Sequence, residues 1–401
     1  MSNLFFSGMA KAKRLTQAGK LAEATALIQR LLGGDHGGSP SKPADTGSAT
    51  VIDVEPVSVK TADAPQRPAG PDARAGRPRA EPRSGLGDTL RDLAARAMPQ
   101  GLDLGLGKAA RPAPAPLPDG ASFTTASFSN TAGTRSYKLY VPANRRGGQP
   151  LPLVVMLHGC TQSPDDFAAG TRMNALAEEL GFLVAYPAQD SSANAQKCWN
   201  WFSRDHQRRD QGEPSLIAGM TRRIMQDHPV DERRVFIAGL SAGGAAAAIL
   251  GASYPELYAA VGVHSGLPVG AAHNLPSALA AMRQGAAAGG APQGGTPVPT
   301  IVFHGDRDST VHPSNGDAVV KQSTAAAAGL TRRDEHGQAP GGHGWSRTLH
   351  ADRSGRVLCE QWTIHGARHA WAGGSPAGSY TDPRGPDATR EMLRFFLEAG
   401  R

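Results

Sequence analysis

A chain of 401 residues can hold one large or two ordinary domains, but its 39% hydrophobic content is diluted by 49 glycines and 31 prolines, which points to a folded part joined to a segment that cannot build a core. Of the formal net charge of +7, about +5 lies in residues 1–115, which hold 16 Lys/Arg against 11 Asp/Glu. Those arginines are scattered without interleaved aromatics, which argues against nucleic acid as a partner; the three cysteines form no C-x-x-C pair, which argues against a zinc site; and no apolar run reaches the length of a transmembrane helix.

The N-terminus offers Leu4-Phe5-Phe6 ahead of Lys11, Lys13 and Arg14. That is the wrong order, and too short an apolar stretch, for a secretory signal, so the expected location is the cytoplasm. Leu15, Ala18, Leu21, Ala22, Leu27, Ile28, Leu31 and Leu32 recur at helical spacing and Gly33-Gly34 ends the pattern, so residues 1–34 are read as an N-terminal amphipathic helix. It serves either for docking and self-association or as an anchor on an apolar surface such as a polymer granule. Residues 35–118 are rich in Pro, Gly, Ala, Ser and Arg and cannot bury enough surface to offset their ordering entropy, which predicts a disordered linker, with a short helix near 88–98.

The globular domain is placed at 119–401. Strands are expected at 122–129, 136–141, 151–157, 181–187, 234–240, 259–266, 300–305 and 357–364, and helices at 167–180, 215–227, 245–250, 275–282, 314–328 and 387–399. Gly285 to Pro299 reads as a loose connector, and a hairpin insertion is expected between His343 and His350. Leu151 to Leu157 is nearly continuous in apolar residues, as in a strand buried on both faces. Strands alternating with helices imply a doubly wound, mostly parallel sheet.

The chemistry is organised around Val235-Phe-Ile-Ala-Gly-Leu-Ser-Ala-Gly-Gly244, an apolar strand that meets G-x-S-x-G and then an alanine-rich helix. This is the setting of a nucleophile elbow, with Ser241 projecting from the turn at the positive end of the helix. Serine needs a base, and the base an orienting carboxylate, in the chain order Ser, Asp, His. Gly305-x-x-Asp308-x-x-Val311 supplies the acid. Asp306 competes for that role but reads better as a turn cap. His369, in a glycine-bounded loop after the last strand, supplies the base, ahead of His365, His343 and His350. Two backbone amides must face the developing oxyanion: Ala242, after the nucleophile, and Cys160, in the His158-Gly-Cys-Thr-Gln162 loop. Cys160 and Cys198 sit in loops at one sheet edge, which leaves a disulfide and two reduced thiols equally open. Trp199, Trp201 and Phe202, with Trp371 beside the base, either fold into a local aromatic core or wall an acyl chain; three of five tryptophans near the site favour the wall. No cofactor or metal is required.

Leu157-His-Gly-Cys-Thr-Gln162, Gly181-Phe-Leu-Val-Ala-Tyr-Pro-Ala-Gln189, Cys198-Trp-Asn-Trp-Phe202, Gly239-Leu-Ser-Ala-Gly-Gly244 and His369-Ala-Trp-Ala-Gly-Gly374 together resemble the poly(3-hydroxybutyrate) depolymerase-type esterase family. The resemblance covers about 136–399. It implies an α/β-hydrolase fold and a serine esterase with Ser241, Asp308 and His369 as its triad and Cys160 and Ala242 in the oxyanion hole. The implied substrate is a polyester or small ester, first a poly(3-hydroxyalkanoate). Feruloyl and acetylxylan esterases belong to the same family and supply the alternative. Members of the family are often secreted, which keeps export open. A reading of another class is a granule- or surface-associated binding protein that works through the N-terminal helix.

Overall fold

The computed structural model describes residues 116–145, 148–286 and 298–400. The expected N-terminal helix, the linker before residue 116, the short helix near 88–98 and most of the 285–299 connector lie outside the described residues.

The strands are β1 (Ser122–Asn130), β2 (Gly133–Val141), β3 (Leu151–Leu157), β4 (Leu183–Pro187), β5 (Val230–Leu240), β6 (Ala260–His264), β7 (Thr300–Gly305), β8 (Thr331–Gln338), β9 (Gly344–Ala351) and β10 (Val357–Ile364). They form one ten-stranded sheet in the order β1-β2-β4-β3-β5-β6-β7-β10-β9-β8. From β4 to β10 the pairing is parallel, with antiparallel pairs on both flanks. Every residue of β3, β4, β6 and β7 is buried, which explains their near-continuous apolar sequences.

The helices are α1 (Pro164–Thr171), α2 (Met173–Leu180), α3 (Gly212–Asp227), α4 (Ala242–Ser253), α5 (Leu275–Gln284), α6 (Ser314–Thr324) and α7 (Ala388–Ala399). Alternate side chains of β3 point to opposite faces of the sheet. Leu153, Val155 and Leu157 join the core under α3, α4, α5 and α6, while Val154 and Met156 join the core under α1, α2 and α7. This is the doubly wound α/β-hydrolase architecture expected from the sequence.

Parallel pairing brings the carboxyl ends of β3, β5, β6, β7 and β10 to one edge, which is where an open α/β sheet presents its functional groups. The turn from β5 to α4 there is held to glycine by contact. A Cβ on Gly239 would lie 2.3 Å from the Gly243 carbonyl carbon, and one on Gly243 would lie 2.1 Å from the Leu157 oxygen.

The departures from expectation have local causes. The helix read over 167–180 is two helices, broken at Arg172, whose φ of 56° is left-handed and whose amide closes α1 on Ala168 O. Helix α6 stops at Thr324. The hairpin is longer than expected: His343 sits in its turn and His350 within β9. Strand β8, Thr-Arg-Arg-Asp-Glu-His-Gly-Gln, is exposed over most of its length and carries no apolar alternation to read. Downstream of His369, Trp371–Ala372 (β11) pairs in parallel with Thr381–Asp382 (β12), a link too short to leave a sequence signal.

Candidate active site

Ser241 sits between β5 and α4 with φ 58° and ψ −119°. Positive φ is costly for a residue with a Cβ and persists where the surroundings impose it. Here the Ser241 amide donates to His264 O at 2.9 Å and its carbonyl accepts the Ala245 amide at 3.0 Å. The Ala242 amide opens α4, so it has no partner within the helix.

Asp308 lies in the turn after β7, and its side chain is fully buried. Its Oδ1 accepts the amides of Thr310 and Val311, both at 2.9 Å, and its Oδ2 accepts His369 Nδ1 at 2.6 Å. His304 Nε2 is 3.4 Å from the same Oδ2 and donates to Val311 O at 2.9 Å. Burial alone would raise the Asp308 carboxyl, but the nearby His304 ring and the hydrogen bond from His369 outweigh it and hold the group well below the usual carboxylate range. With Nδ1–H given to Asp308, the Nε2 lone pair of His369 is free to accept a proton. The rival residues pair with each other: Asp306 Oδ2 lies 3.1 Å from His365 Nδ1 at the exposed end of the site. Asp306 therefore does not cap its own turn. His343 pairs with Asp382 at 2.9 Å, and His350 lies on β9, away from both carboxylates.

The loop after β3 lies against the serine: a Cβ on Gly159 would stand 3.6 Å from Ser241 Cβ. Its amides are mostly committed, Gly159 to Gln162 Oε1 (2.9 Å), Thr161 to Gln196 O (2.6 Å) and Gln162 to Gly159 O (3.3 Å). Among the described residues no acceptor is recorded for the Cys160 amide between them. Cys160 and Cys198 form a disulfide, which resolves the alternative that the sequence left open. The Cys198 side of the bridge is anchored in turn by Glu213 at the start of α3, which accepts the Asn200 amide at 2.7 Å and hydrogen-bonds Gln189. The third cysteine, Cys359, is buried, with its thiol pushed up to about 12 by desolvation.

The three tryptophans are a correction. Trp199 and Trp371 are fully buried and Trp201 is 5% exposed, so none can wall a substrate channel. They brace the loops from beneath. Trp199 Nε1 donates to His158 O at 3.0 Å, and Trp371 Nε1 donates to Thr389 at 3.0 Å while its ring stacks on His264. Phe202 is only partly buried, and a further aromatic, Tyr380, with φ 53°, is exposed. Its hydroxyl lies 3.2 Å from Thr161 Oγ1 and its carbonyl accepts the Trp371 amide at 2.7 Å, so it joins the loop of Cys160 to that of His369. Nothing in the sequence near Tyr380 pointed to it.

Two buried histidines were also missed. His264 Nε2 accepts the Ala372 amide (3.0 Å), and its pKa is driven to about 3 by burial and by the neighbouring His304 and His369. His158 Nε2 accepts the Gln189 amide (3.1 Å), and burial lowers its pKa to about 4. Both are neutral backbone clamps at the ends of β6 and β3.

The sheet order and the strand–elbow–helix turn define an α/β-hydrolase fold. A solved structure, acetyl xylan esterase from Aspergillus awamori, shares that fold with a TM-score of 0.54 at 20% identity, covering 69% of this chain and 99% of the other. The chain belongs to the esterase PHB depolymerase family, whose model matches residues 135–335, half of its length. That match includes Ser241 and Asp308 and ends before His369. Poly(3-hydroxyalkanoate) depolymerase C of Paucimonas lemoignei is 33% identical over 255 residues, 60% of each protein. Probable acetylxylan esterase A of Aspergillus fumigatus is 31% identical over 211 residues, 48% of this chain and 55% of the relative. The chain thus spans little more than half the length of these curated relatives.

Proposed function

We propose that the chain is a serine carboxylic-ester hydrolase working through an acyl-enzyme. The observation that carries this reading is a strained elbow serine at the end of β5, next to the loop of Cys160, together with a hydrogen-bonded pair of buried Asp308 and partly buried His369 at the same sheet edge. His369 Nε2 takes the proton of Ser241 as Oγ attacks the ester carbonyl. The amides of Cys160 and Ala242 hold the tetrahedral oxyanion. His369 returns the proton to the departing alcohol, and water repeats the sequence on the acyl-enzyme. Asp308 keeps the imidazole in the tautomer with Nδ1–H throughout.

For the substrate we infer a polyester or oligomer of 3-hydroxyalkanoate units, supported by the name of the relative at 33% identity. An acetylxylan-type activity is the alternative, supported by the relatives at 28–31%. The Cys160–Cys198 bridge favours an oxidising compartment over the cytoplasmic expectation. One experiment separates these readings: the full chain is assayed for 3-hydroxybutyrate release from amorphous poly(3-hydroxybutyrate), acetate release from acetylated xylan and cleavage of p-nitrophenyl esters, beside Ser241→Ala. Polymer hydrolysis that vanishes with Ser241 supports the first reading, and acetate release alone transfers the assignment to the second. Activity that survives Ser241→Ala, or failure of a fluorophosphonate to label the wild type, ends the hydrolase reading.

A further inference from the structure

Two aspartates stand two residues apart in the acid turn, and two histidines four apart in the base loop. They pair in order. Asp308 holds His369, and Asp306 holds His365. In the inner pair Asp308 is buried and His369 nearly so, whereas both members of the outer pair are exposed. The outer carboxylate also grips the backbone: Asp306 Oδ1 accepts the Gly366 amide at 2.7 Å. Two backbone bonds run alongside, Asp306 N to Ile364 O at 3.1 Å and Arg307 N to Ala367 O at 3.0 Å. The approach is so close that a Cβ on Gly305 would lie 2.4 Å from Ala367 O.

His365 carries the connection outward. Its Nε2 lies 2.8 Å from Ser346 Oγ on β9, and that oxygen lies 2.9 Å from His336 Nδ1 on β8. One hydroxyl proton can serve one ring. In the neutral ring, His365 Nδ1–H donates to Asp306, so its Nε2 accepts from Ser346, and His336 Nδ1–H donates to Ser346. Every donor in the row points toward Asp306, so the β8–β9 hairpin and the base loop converge on one carboxylate.

We propose that Asp306 is a positioning residue for the hydrolysis inferred above: it fixes the Gly366 amide and the His365 ring, and through them the peptide that carries His369 to Asp308. The inference rests on that functional reading. The Asp308 contact holds His369 at Nδ1 only, so the aim of Nε2 depends on where the backbone of residues 365–368 lies. A displacement of about 1 Å at a reacting group can cost on the order of 100-fold in rate.

The test compares wild type, Asp306→Ala and Asp306→Asn for kcat and KM on p-nitrophenyl acetate, for the rate of fluorophosphonate labelling of Ser241, and for thermal midpoint. Alanine removes the acceptor for Gly366, whereas asparagine keeps one oxygen for it. The expected result is a fall in kcat of about tenfold or more in Asp306→Ala. KM should stay within about twofold and labelling should slow in parallel, with most of the rate restored in Asp306→Asn. An unchanged kcat in Asp306→Ala overturns the proposal. So do equal losses in both variants accompanied by a collapse of the thermal midpoint, since that marks a structural role. A wild type that neither hydrolyses the ester nor is labelled removes the functional reading and the positioning role with it. A labelled, active wild type with unaffected Asp306 variants removes the positioning role alone.

Discussion

Asp308→Asn is the most discriminating single change at this site. Oδ1 of Asp308 accepts two amides, and Oδ2 faces His369 Nδ1 and His304 Nε2. Asparagine can keep its oxygen on the Thr310 and Val311 amides, but its NH2 group then faces His369. Two donors cannot pair, so the imidazole turns over to the tautomer with Nδ1 unprotonated, and Nε2–H can no longer accept from Ser241. Where a buried aspartate of a Ser–His–Asp site was changed this way, the rate fell roughly 10⁴-fold, equivalent to about 5.5 kcal/mol of transition-state stabilisation. The same NH2 also confronts His304 Nε2–H, which is committed to Val311 O, so folding should lose about 1–3 kcal/mol as well. The assay is kcat on p-nitrophenyl acetate with a parallel urea melt. A variant that keeps more than about a tenth of the activity while Asp306→Asn loses it would show that the acid has been assigned to the wrong aspartate of the turn.

The disulfide closes a loop with a sequence separation of 38, so Cys160→Ser/Cys198→Ser should cost about 4 kcal/mol by denaturant melt and should lower kcat through the freed Cys160 loop; wild-type stability and rate would make the bridge incidental. His158 and His264 are buried neutral with pKa values of about 4 and about 3, against 6.5 when exposed. Between those limits the unfolded chain binds the extra protons, so stability is full above about pH 6.5 and falls on acidification by about 1.4 kcal/mol per pH unit for each ring; the measurement is urea unfolding at pH 7 and 5, and an equal slope in His264→Gln counts against the assignment. Tyr380→Ala removes the link between Thr161 and the base loop and should lower kcat/KM more for hydroxyacyl oligomers than for p-nitrophenyl acetate, while Tyr380→Phe, which keeps the ring and loses only the hydroxyl, should fall between; equal losses on all substrates would leave Tyr380 a scaffold residue.

The legible part of this chain was the part whose chemistry is local. The buried parallel strands announced themselves as apolar runs because both of their faces are covered, and the elbow announced itself because Gly239 and Gly243 have no room for side chains. The pairing of Asp308 with His369 followed from spacing and chain order. What stayed illegible depends on contacts far apart in sequence. Trp199, Trp201 and Trp371 look like a binding wall when counted near a site, but whether an indole faces solvent or core depends on the layer beneath it, here His158, His264, Phe167 and Thr389. Tyr380 shows the reverse: an isolated tyrosine in a Gly/Ser segment carries no periodic signal, and its position follows from Thr161 more than 200 residues earlier.

These contacts also suggest where the family's range of substrates originates. The groups proposed for bond breaking are held from below by buried side chains: His264 clamps the segment after His369, Trp199 and His158 clamp the loop of Cys160, and His304 lies against the acid. A change in any of them disturbs chemistry before it disturbs recognition. At the exposed rim, the side chains of Tyr380 and Thr161 touch each other rather than the groups proposed for bond breaking, so exchanging those side chains should cost the chemistry less. Relatives whose names give different esters, a poly(3-hydroxyalkanoate) and acetylxylan, match this chain at 33% and 31% identity. On this argument, changing only the side chains at 161 and 380 should alter the order of preferred esters while the rate on p-nitrophenyl acetate falls less, because the backbone of 375–380 is tied to Asp166, Gln162 and Trp371. A change that lowers the acetate rate as much as the rate on larger esters would place both side chains among the supports of the catalytic loops.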